Sequence, residues 1–388
     1  MEKTVPEALF QPIRFALITA KNRIVMAPMV TNFAGPDDKV ADSMVRYYAE
    51  RAKGGAGTIV VEASPIRNGL RISSRQIGSY DERFVLGLSR LAGAIRSEGT
   101  IALLQLLHGG PKVLPHSECE SASPVSVRVG QVPRELSLSD LRQVRLAYVR
   151  AATCARKAGF DGVEIHAAHL YLLSSFLSPF TNQRTDAYGG SLDNRVRLLR
   201  EVIEDIKTEL GNGWPIWVRM NACEFLNPGL SLEEGREAAK IITAAGADAI
   251  HVSAYVLPIN KNITGIVNIR VGAIPLKGSP PGPLLPYAEA IKKSVHVPII
   301  AVGKLDDPHI AANAVNKGQC DMFALGRQLI CDPYWPSKLE KGQGKEIVHC
   351  NYCNTCHTAQ QRGEEITCSR NLNLAGHPVY RPETVKPQ

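Results

Sequence analysis

Short apolar segments alternate with longer amphipathic ones along most of the chain. The apolar segments are 24–28 (IVMAP), 58–63 (TIVVEA), 101–107 (IALLQLL), 162–166 (GVEIH), 216–220 (IWVRM), 249–253 (AIHVS), 298–302 (PIIAV) and 321–325 (DMFAL). They are rich in Val, Ile and Leu and nearly continuous in hydrophobicity. That pattern suits parallel strands buried on both faces. Helical patterns fall between them, at 41–54, 82–98, 138–158, 194–210, 231–245, 285–294, 306–317 and 333–341. Segment 194–210 (NRVRLLREVIEDIKTEL) carries apolar residues at helical spacing and stops before Gly211. Segment 231–245 opens with SLEE, in which Ser231 and Glu234 form a capping box. Gly54, Gly99, Gly159, Gly246 and Gly318 stand where other helices must stop.

Eight strand–helix units predict an α/β protein, a closed (β/α)8 TIM barrel over residues 1–342. The rival is an open doubly wound sheet. That sheet would carry a GxGxxG turn after an early strand, and the chain has none. In a barrel the chemistry gathers at the C-terminal ends of the strands. Two stretches break the repeat. Residues 109–136 are rich in Pro and Ser and predict an excursion over that face. Residues 255–285 are rich in Pro and Gly and predict a long loop that walls the substrate or closes over it. Residues 343–388 form a separate extension with an extended tail.

Composition narrows the class only modestly. No apolar run approaches the ~20 residues that span a bilayer. The N-terminus (MEKTVPEALF) lacks the build of a signal peptide. A cytoplasmic protein without a membrane partner is expected. The net charge of +8 is spread along the chain with no dense basic block. It implies solvated surface and attraction for anionic ligands, not a nucleic-acid footprint.

Nine cysteines change the picture. Cys119, Cys154, Cys223, Cys320 and Cys331 are scattered and read as buried apolar residues. Cys350, Cys353, Cys356 and Cys368 follow the pattern C-x2-C-x2-C-x11-C. Three thiolates spaced by two residues, with a fourth from a returning segment, wrap a compact [4Fe–4S] cubane well. Zinc is the alternative, with His349 and His357 as extra donors. A reducing compartment disfavours disulfides.

The strand ends supply the remaining candidates. His166, His169 and Tyr171 follow the fourth strand; two histidines there bind metal, donate hydrogen bonds or are simply satisfied. Gln105 and Arg219 lie inside strands, where buried polar groups need partners. Gly303 and Lys304 follow the seventh strand, and Gly326 and Arg327 the eighth. Barrels often bind phosphate at these two loops, where glycine admits backbone N–H groups and arginine adds a bidentate contact.

KNRIVMAPM (21–29), VEIHAAHLYLLSSFLSPFTNQRTDAYGGSLDNR (163–195) and LGRQLICDP (325–333) resemble the Old Yellow Enzyme family of FMN oxidoreductases. The cysteine pattern resembles the branch containing 2,4-dienoyl-CoA reductase and trimethylamine dehydrogenase. The resemblance covers essentially the whole chain. It implies that Pro28, Met29, Val30 and Ala63 line the flavin ring and that Gln105 and Arg219 meet its pyrimidine edge. It implies further that the Gly303–Lys304 and Gly326–Arg327 loops hold the FMN phosphate, and that the four cysteines hold the cluster. His166 and His169 become donors to a substrate carbonyl, and Tyr171 the proton donor. Val30 departs from the family, which often has Thr or Cys there, so redox tuning should differ. Arg184, Asp186, Gly189, Gly190, Asn194 and Arg195 read as a structural turn and helix start despite matching the family.

The implied reaction is ene-reduction of an α,β-unsaturated carbonyl or enoyl thioester, with hydride from FMN N5 to the β-carbon. NAD(P)H is a direct or indirect donor. Larger iron–sulfur relatives continue into nucleotide-binding domains. Their absence after residue 388 predicts a separate one-electron partner: an electron-transfer flavoprotein, a ferredoxin or an FAD/NAD-binding subunit. Oxidative amine demethylation with electrons leaving through the cluster, and a noncatalytic electron-transfer subunit, are the alternatives. Lys261, Arg270 and Lys277 are candidate contacts for a CoA moiety. A homo-oligomer is in keeping with the family.

Overall fold

The computed structural model describes residues 6–35, 37–115, 117–128, 130–255, 275 and 277–376. Eight strands close into a parallel barrel in chain order. They are β1 (Ile24–Met26), β2 (Thr58–Pro65), β3 (Ile101–Leu107), β4 (Gly162–Ala167), β5 (Ile216–Glu224), β6 (Ala249–Tyr255), β7 (Ile299–Val302) and β8 (Met322–Leu325). β8 pairs back onto β1 through Ala324 and Val25. Eight helices alternate with them: α1 (Asp42–Lys53), α2 (Val85–Arg96), α3 (Leu138–Lys157), α4 (Leu192–Leu210), α5 (Leu232–Ala244), α6 (Leu285–Lys292), α7 (Pro308–Asn316) and α8 (Trp335–Glu340). Every predicted unit is present. The predicted helix 82–98 is a 3-10 turn at Glu82–Phe84 followed by α2, because Asp81 caps the turn through Arg83 N–H.

The capping box at Ser231 and Glu234 forms as the sequence implies, and a second forms at Ser137 and Asp140. α5 lies very close to its strand. A Cβ on Gly235 would come 2.0 Å from the Ala222 carbonyl oxygen in β5, so glycine sets that approach.

Val25, Val60, Leu103, Trp217, Ala249, Ile300 and Met322 form one continuous buried cluster. A hairpin of Ile13–Phe15 and Ile18–Ala20 adds to it, with Phe15 packed edge-on to Trp217 at 4.9 Å. These strands are three residues long, too short to show a period in the sequence. Bulges in the β2–β3 and β5–β6 pairings lie toward the C-terminal ends of β2 and β6.

The predicted excursion at 109–136 contains a 3-10 turn at Gly110–Lys112 and a paired Glu120–Ser121/Arg134–Glu135. The extension lies against the segment after β1 and the Ser73–Ser74 loop. Ile366 N–H donates to Thr31 O at 3.0 Å, Asn32 Nδ2 to Glu364 O at 2.8 Å, and Ser74 Oγ to Gly363 O at 2.7 Å. Most of the predicted 255–285 loop, including Lys261 and Arg270, lies outside the described residues, as does the tail from 377. No helix among the described residues is long and apolar enough to cross a membrane.

Candidate active site

A polar layer is contributed by the interior of the barrel strands. Gln105 Nε2 in β3 donates to Glu164 Oε1 in β4 at 2.7 Å. His251 Nδ1 in β6 pairs with Glu164 Oε2 at 2.8 Å. Arg219 in β5 is in register with both His166 and His251. Burial pulls the Arg219 pKa down, and the Glu164 charge partly offsets this. Its Nε is buried with no partner among the described residues. A buried guanidinium demands an acceptor, and the space in front of it is a cavity.

That cavity measures about 830 Å³ and brings together nine sequence-predicted residues. Pro28, Met29 and Val30 come from the segment after β1, Ala63 from β2, and Gln105 from β3. His166, His169 and Tyr171 come from β4 and its continuation, and Arg219 from β5. A second, adjoining cavity shares Met29 and Arg219 and is lined by the other four: Gly303, Lys304, Gly326 and Arg327. Gly303 has φ of +109°. A Cβ on Gly326 would sit 3.1 Å from Met29 Sδ, which lines both cavities. Arg327 donates to Pro275 O at 2.8 Å and to Asn354 Oδ1 at 2.6 Å. Lys304 Nζ donates to Ser279 O at 2.5 Å and Lys277 O at 3.0 Å. Both cations lie 4.7 Å from the ring centroid of Tyr352 in the extension.

His166, His169 and Tyr171 pack edge to face. The ring centroids of His166 and Tyr171 are 4.7 Å apart, and those of the two histidines 5.1 Å. The histidines are not equivalent. His166 Nδ1 accepts from Ala168 N–H at 3.3 Å, which assigns the neutral ring's proton to Nε2. His169 Nε2 is paired with Ser253 Oγ at 2.8 Å. His169 and Leu170 both adopt left-handed backbone conformations, with φ of +62° and +56°. Asn221 Oδ1 holds the His169 N–H at 3.3 Å, and Ser174 Oγ holds the Leu170 N–H at 3.1 Å. Strain kept in place by such contacts is a mark of functional positions. Burial drives both histidine pKa values well below the usual range, with Arg219 pushing in the same direction. Both rings are neutral at neutral pH. Burial pushes the Tyr171 phenol up to about 12, against the opposing pull of Arg128 and Arg219.

Of the four cysteines of the extension, Cys356 is buried, Cys350 and Cys368 are half-buried and Cys353 is exposed. Cys350 and Cys368 both push the Cys356 thiol pKa up, after burial itself. Among the described residues, no three His, Cys, Asp or Glu side chains are gathered to hold a metal ion. Cys331, read from sequence as an apolar core residue, is buried but faces Cys368 as a hydrogen-bond partner. The predicted turn is structural. Arg184 makes a two-point contact to Asp186 at 3.0 and 2.6 Å and donates to two backbone carbonyls.

Several site residues escaped the sequence reading. Glu164 and His251 sit in strands that otherwise read as apolar, and that contradiction was a usable signal. Lys112 and Arg128 line the cavity from the excursion, and His357, Gln360 and Arg362 from the extension. Neither group lies in a segment with a period that would flag it.

A closed parallel barrel with a cavity pair lined from its strands has the architecture of the barrel enzymes. The profile of the NADH:flavin oxidoreductase / NADH oxidase family matches residues 8–346, and the chain belongs to that family. The NADH oxidase of Thermoanaerobacter brockii is 36% identical over 354 residues, covering 89% of this chain and 52% of that protein. A 2-naphthoyl-CoA reductase structure superposes with a TM-score of 0.89 at 29% identity, covering 95% of this chain and 58% of the other. Histamine dehydrogenase from Rhizobium sp. 4-9 superposes at 0.84 with 26% identity, covering 96% and 53%. The chain therefore spans about half the length of these relatives. The family implies FMN and NAD(P)H. The orphaned Arg219 Nε and the adjoining cavity lined by Gly303, Lys304, Gly326 and Arg327 fit FMN.

Proposed function

We propose that this chain is an ene-reductase that reduces the C=C bond of α,β-unsaturated carbonyl compounds. The observation that carries the reading is the edge contact of neutral His166 with protonated Tyr171 at a cavity shared with Gln105 and Arg219. Bound FMN would supply the hydride that the alkene accepts at its β-carbon. The His166 Nε2–H is a donor for the substrate carbonyl, drawing electron density from the alkene as an oxyanion donor does. A phenol with a pKa of about 12 keeps its proton throughout the neutral range and gives it up to a developing α-carbanion. Arg219 offers a fixed positive charge to the pyrimidine edge of the flavin, and Gln105 is held beside it by Glu164. Val30 offers that ring no hydrogen bond, in contrast to Thr or Cys.

The number and spacing of the four thiols, C-x2-C-x2-C-x11-C, support an iron–sulfur group in the extension. Cys350, Cys353, Cys356 and Cys368 would hold a [4Fe–4S] cluster that supplies one-electron exchange with a protein partner. The hydrogen bond from Cys331 is the chief cause that lowers the Cys368 pKa, and buried Arg51 adds to it as a cation that suits an anionic cluster.

Anaerobic assay of FMN-loaded protein with NADPH and 2-cyclohexen-1-one tests the catalytic reading. Saturated ketone should form at the expense of NADPH. Reduction of the flavin by NADPH with no enone consumed would sink it. Iron and sulfide analysis tests the cluster. About four of each per chain should be present, and Cys356→Ala should lose them while flavin stays. Zinc in their place would replace the cluster by a structural metal.

A further inference from the structure

The cavity wall above Tyr171 is cationic. Lys112 Nζ donates to His169 O at 3.2 Å and stands 5.2 Å from the Tyr171 ring centroid. Arg128 donates to Val113 O at 3.0 Å. The two cations are neighbours: after burial, Arg128 is what holds the Lys112 pKa down, to about 8. Lys112 therefore still carries its charge at neutral pH. Arg128 also acts on the Tyr171 phenol. Arg362 of the extension lines the same cavity.

No Asp or Glu is among the described residues lining this space. Glu120, the buried carboxylate of the excursion, is already taken. Arg67 and Arg134 each donate to it at 2.7 Å, and His108 lies at 3.3 Å. The 255–285 segment contains no acidic residue at all. Like charges facing a cavity without a carboxylate repel one another, and an anion placed between them relieves that repulsion. An ammonium substrate would add to it.

We propose that Lys112 and Arg128 select a substrate that carries a negative charge, such as a carboxylate, beside its reducible bond. The inference rests on the ene-reductase reading for the word reducible. It identifies a substrate class: conjugated carbonyl compounds with an anionic substituent, bound at a cationic pair separate from the two histidines. It disfavours amine oxidation at this site.

The test compares matched ligands on FMN-loaded protein, followed by the flavin absorbance change. The probes are 4-hydroxybenzoate, its neutral amide 4-hydroxybenzamide, and the cation (4-hydroxybenzyl)trimethylammonium. The carboxylate should bind at least tenfold more tightly than the amide, and the cation should bind most weakly. Added salt should narrow the gap between carboxylate and amide. Lys112→Gln and Arg128→Gln should each shrink the carboxylate-to-amide ratio at least threefold, and the double variant should bring it near one. Lys112→Arg, which keeps the charge, should preserve it. FMN content guards against misfolding. Equal binding of carboxylate and amide, a ratio unmoved in the double variant, or tightest binding of the cation would overturn the proposal. A parallel assay compares reduction of 3-oxocyclohex-1-ene-1-carboxylate with that of its methyl ester. If neither is reduced while the binding preference stands, the ene-reductase reading fails and the anion pair survives. If both are reduced equally well and no binding preference appears, the reverse holds.

Discussion

Replacing Tyr171 by Phe removes one oxygen and keeps the ring that packs 4.7 Å from His166. The fold and the cavity wall should therefore survive, and the change isolates the proton. With a pKa of about 12 the phenol is essentially fully protonated at pH 7. The group best placed to replace it is Lys112, 5.2 Å from the ring centroid and tied to His169 O. Positioned general acids contribute typically 10²–10⁴-fold, about 3 to 5 kcal/mol of transition-state stabilisation. Reduction of 2-cyclohexen-1-one by pre-reduced enzyme, followed by stopped-flow flavin reoxidation, should slow by roughly that factor. Reduction of the flavin by NADPH needs no such proton and should stay within about threefold, on the same argument. The wild-type oxidative rate should show no titration from this phenol between about pH 6 and 9, well below its pKa. Unchanged enone reduction in Tyr171→Phe would refute the assignment. Equal losses in both half-reactions would show that the ring had moved rather than that a proton was missing.

Other perturbations read other parts of the site. Burial lowers the pKa values of His108, His166, His169 and His251. Each therefore contributes stability above the unfolded value near 6.5 that is lost as pH falls below it; the thermal midpoint of the flavin-free protein should drop between about pH 6.5 and 5, and a flat profile would contradict neutral burial. Glu62 behaves oppositely: burial raises it to about 8 despite hydrogen bonds from Thr31, so its contribution is full below about 4.5 and lost as pH rises through 8. Glu62→Gln should flatten the decline in midpoint between about pH 4.5 and 8, where these values place the titration, and a steeper decline would show that the carboxylate is stabilised. Asn32 is buried, has φ of +57° and ties Glu364 O to the barrel. Asn32→Ala leaves that carbonyl short of a partner and puts alanine in a left-handed conformation, costing about 1–3 kcal/mol. Proteolysis within 355–366 should quicken roughly tenfold or more for such a loss, and equal rates would show that other contacts secure the extension.

The barrel was legible because its signals are redundant. Eight buried strands read as apolar runs, and glycines or capping boxes close the helices between them. Failure of one signal leaves the count intact. The strand-end residues were legible for the same topological reason: once the order of strands is known, whatever follows each one shares a single face. The hairpin at 13–20 was not legible. Its two strands are too short for a pattern, and what fixes them is Phe15 meeting Trp217 about two hundred residues away in sequence. The inequality of His166 and His169 was likewise hidden. It depends on Ser253 and Asn221, contributed by β6 and β5, and no local spacing encodes a contact between strands. Cys331 is buried as its sequence setting implies, but its contact with Cys368 was hidden, because only the return of the chain brings the two thiols together.

The division of labour across the cavity follows from where each wall is made. Barrel strands are held by hydrogen bonds to neighbouring strands on both sides, so groups that need fixed geometry are placed on them: His166, Arg219, Gln105 and the Glu164 that orients it. The wall that meets the rest of a substrate comes instead from the excursion and the extension, through Lys112, Arg128, His357 and Arg362. These segments can change length and charge without disturbing the strand register, which is why one barrel serves many substrates. In this chain the two layers are not independent. The extension is hydrogen-bonded to Thr31 O through Ile366, and Thr31 N–H and hydroxyl both engage Glu62 within β2. Val30, which lines the cavity, is the adjacent residue. A change in the cysteine-bearing segment thus has a short covalent and hydrogen-bonded route to the floor of the cavity. Binding at the site and the state of the extension should therefore respond to one another.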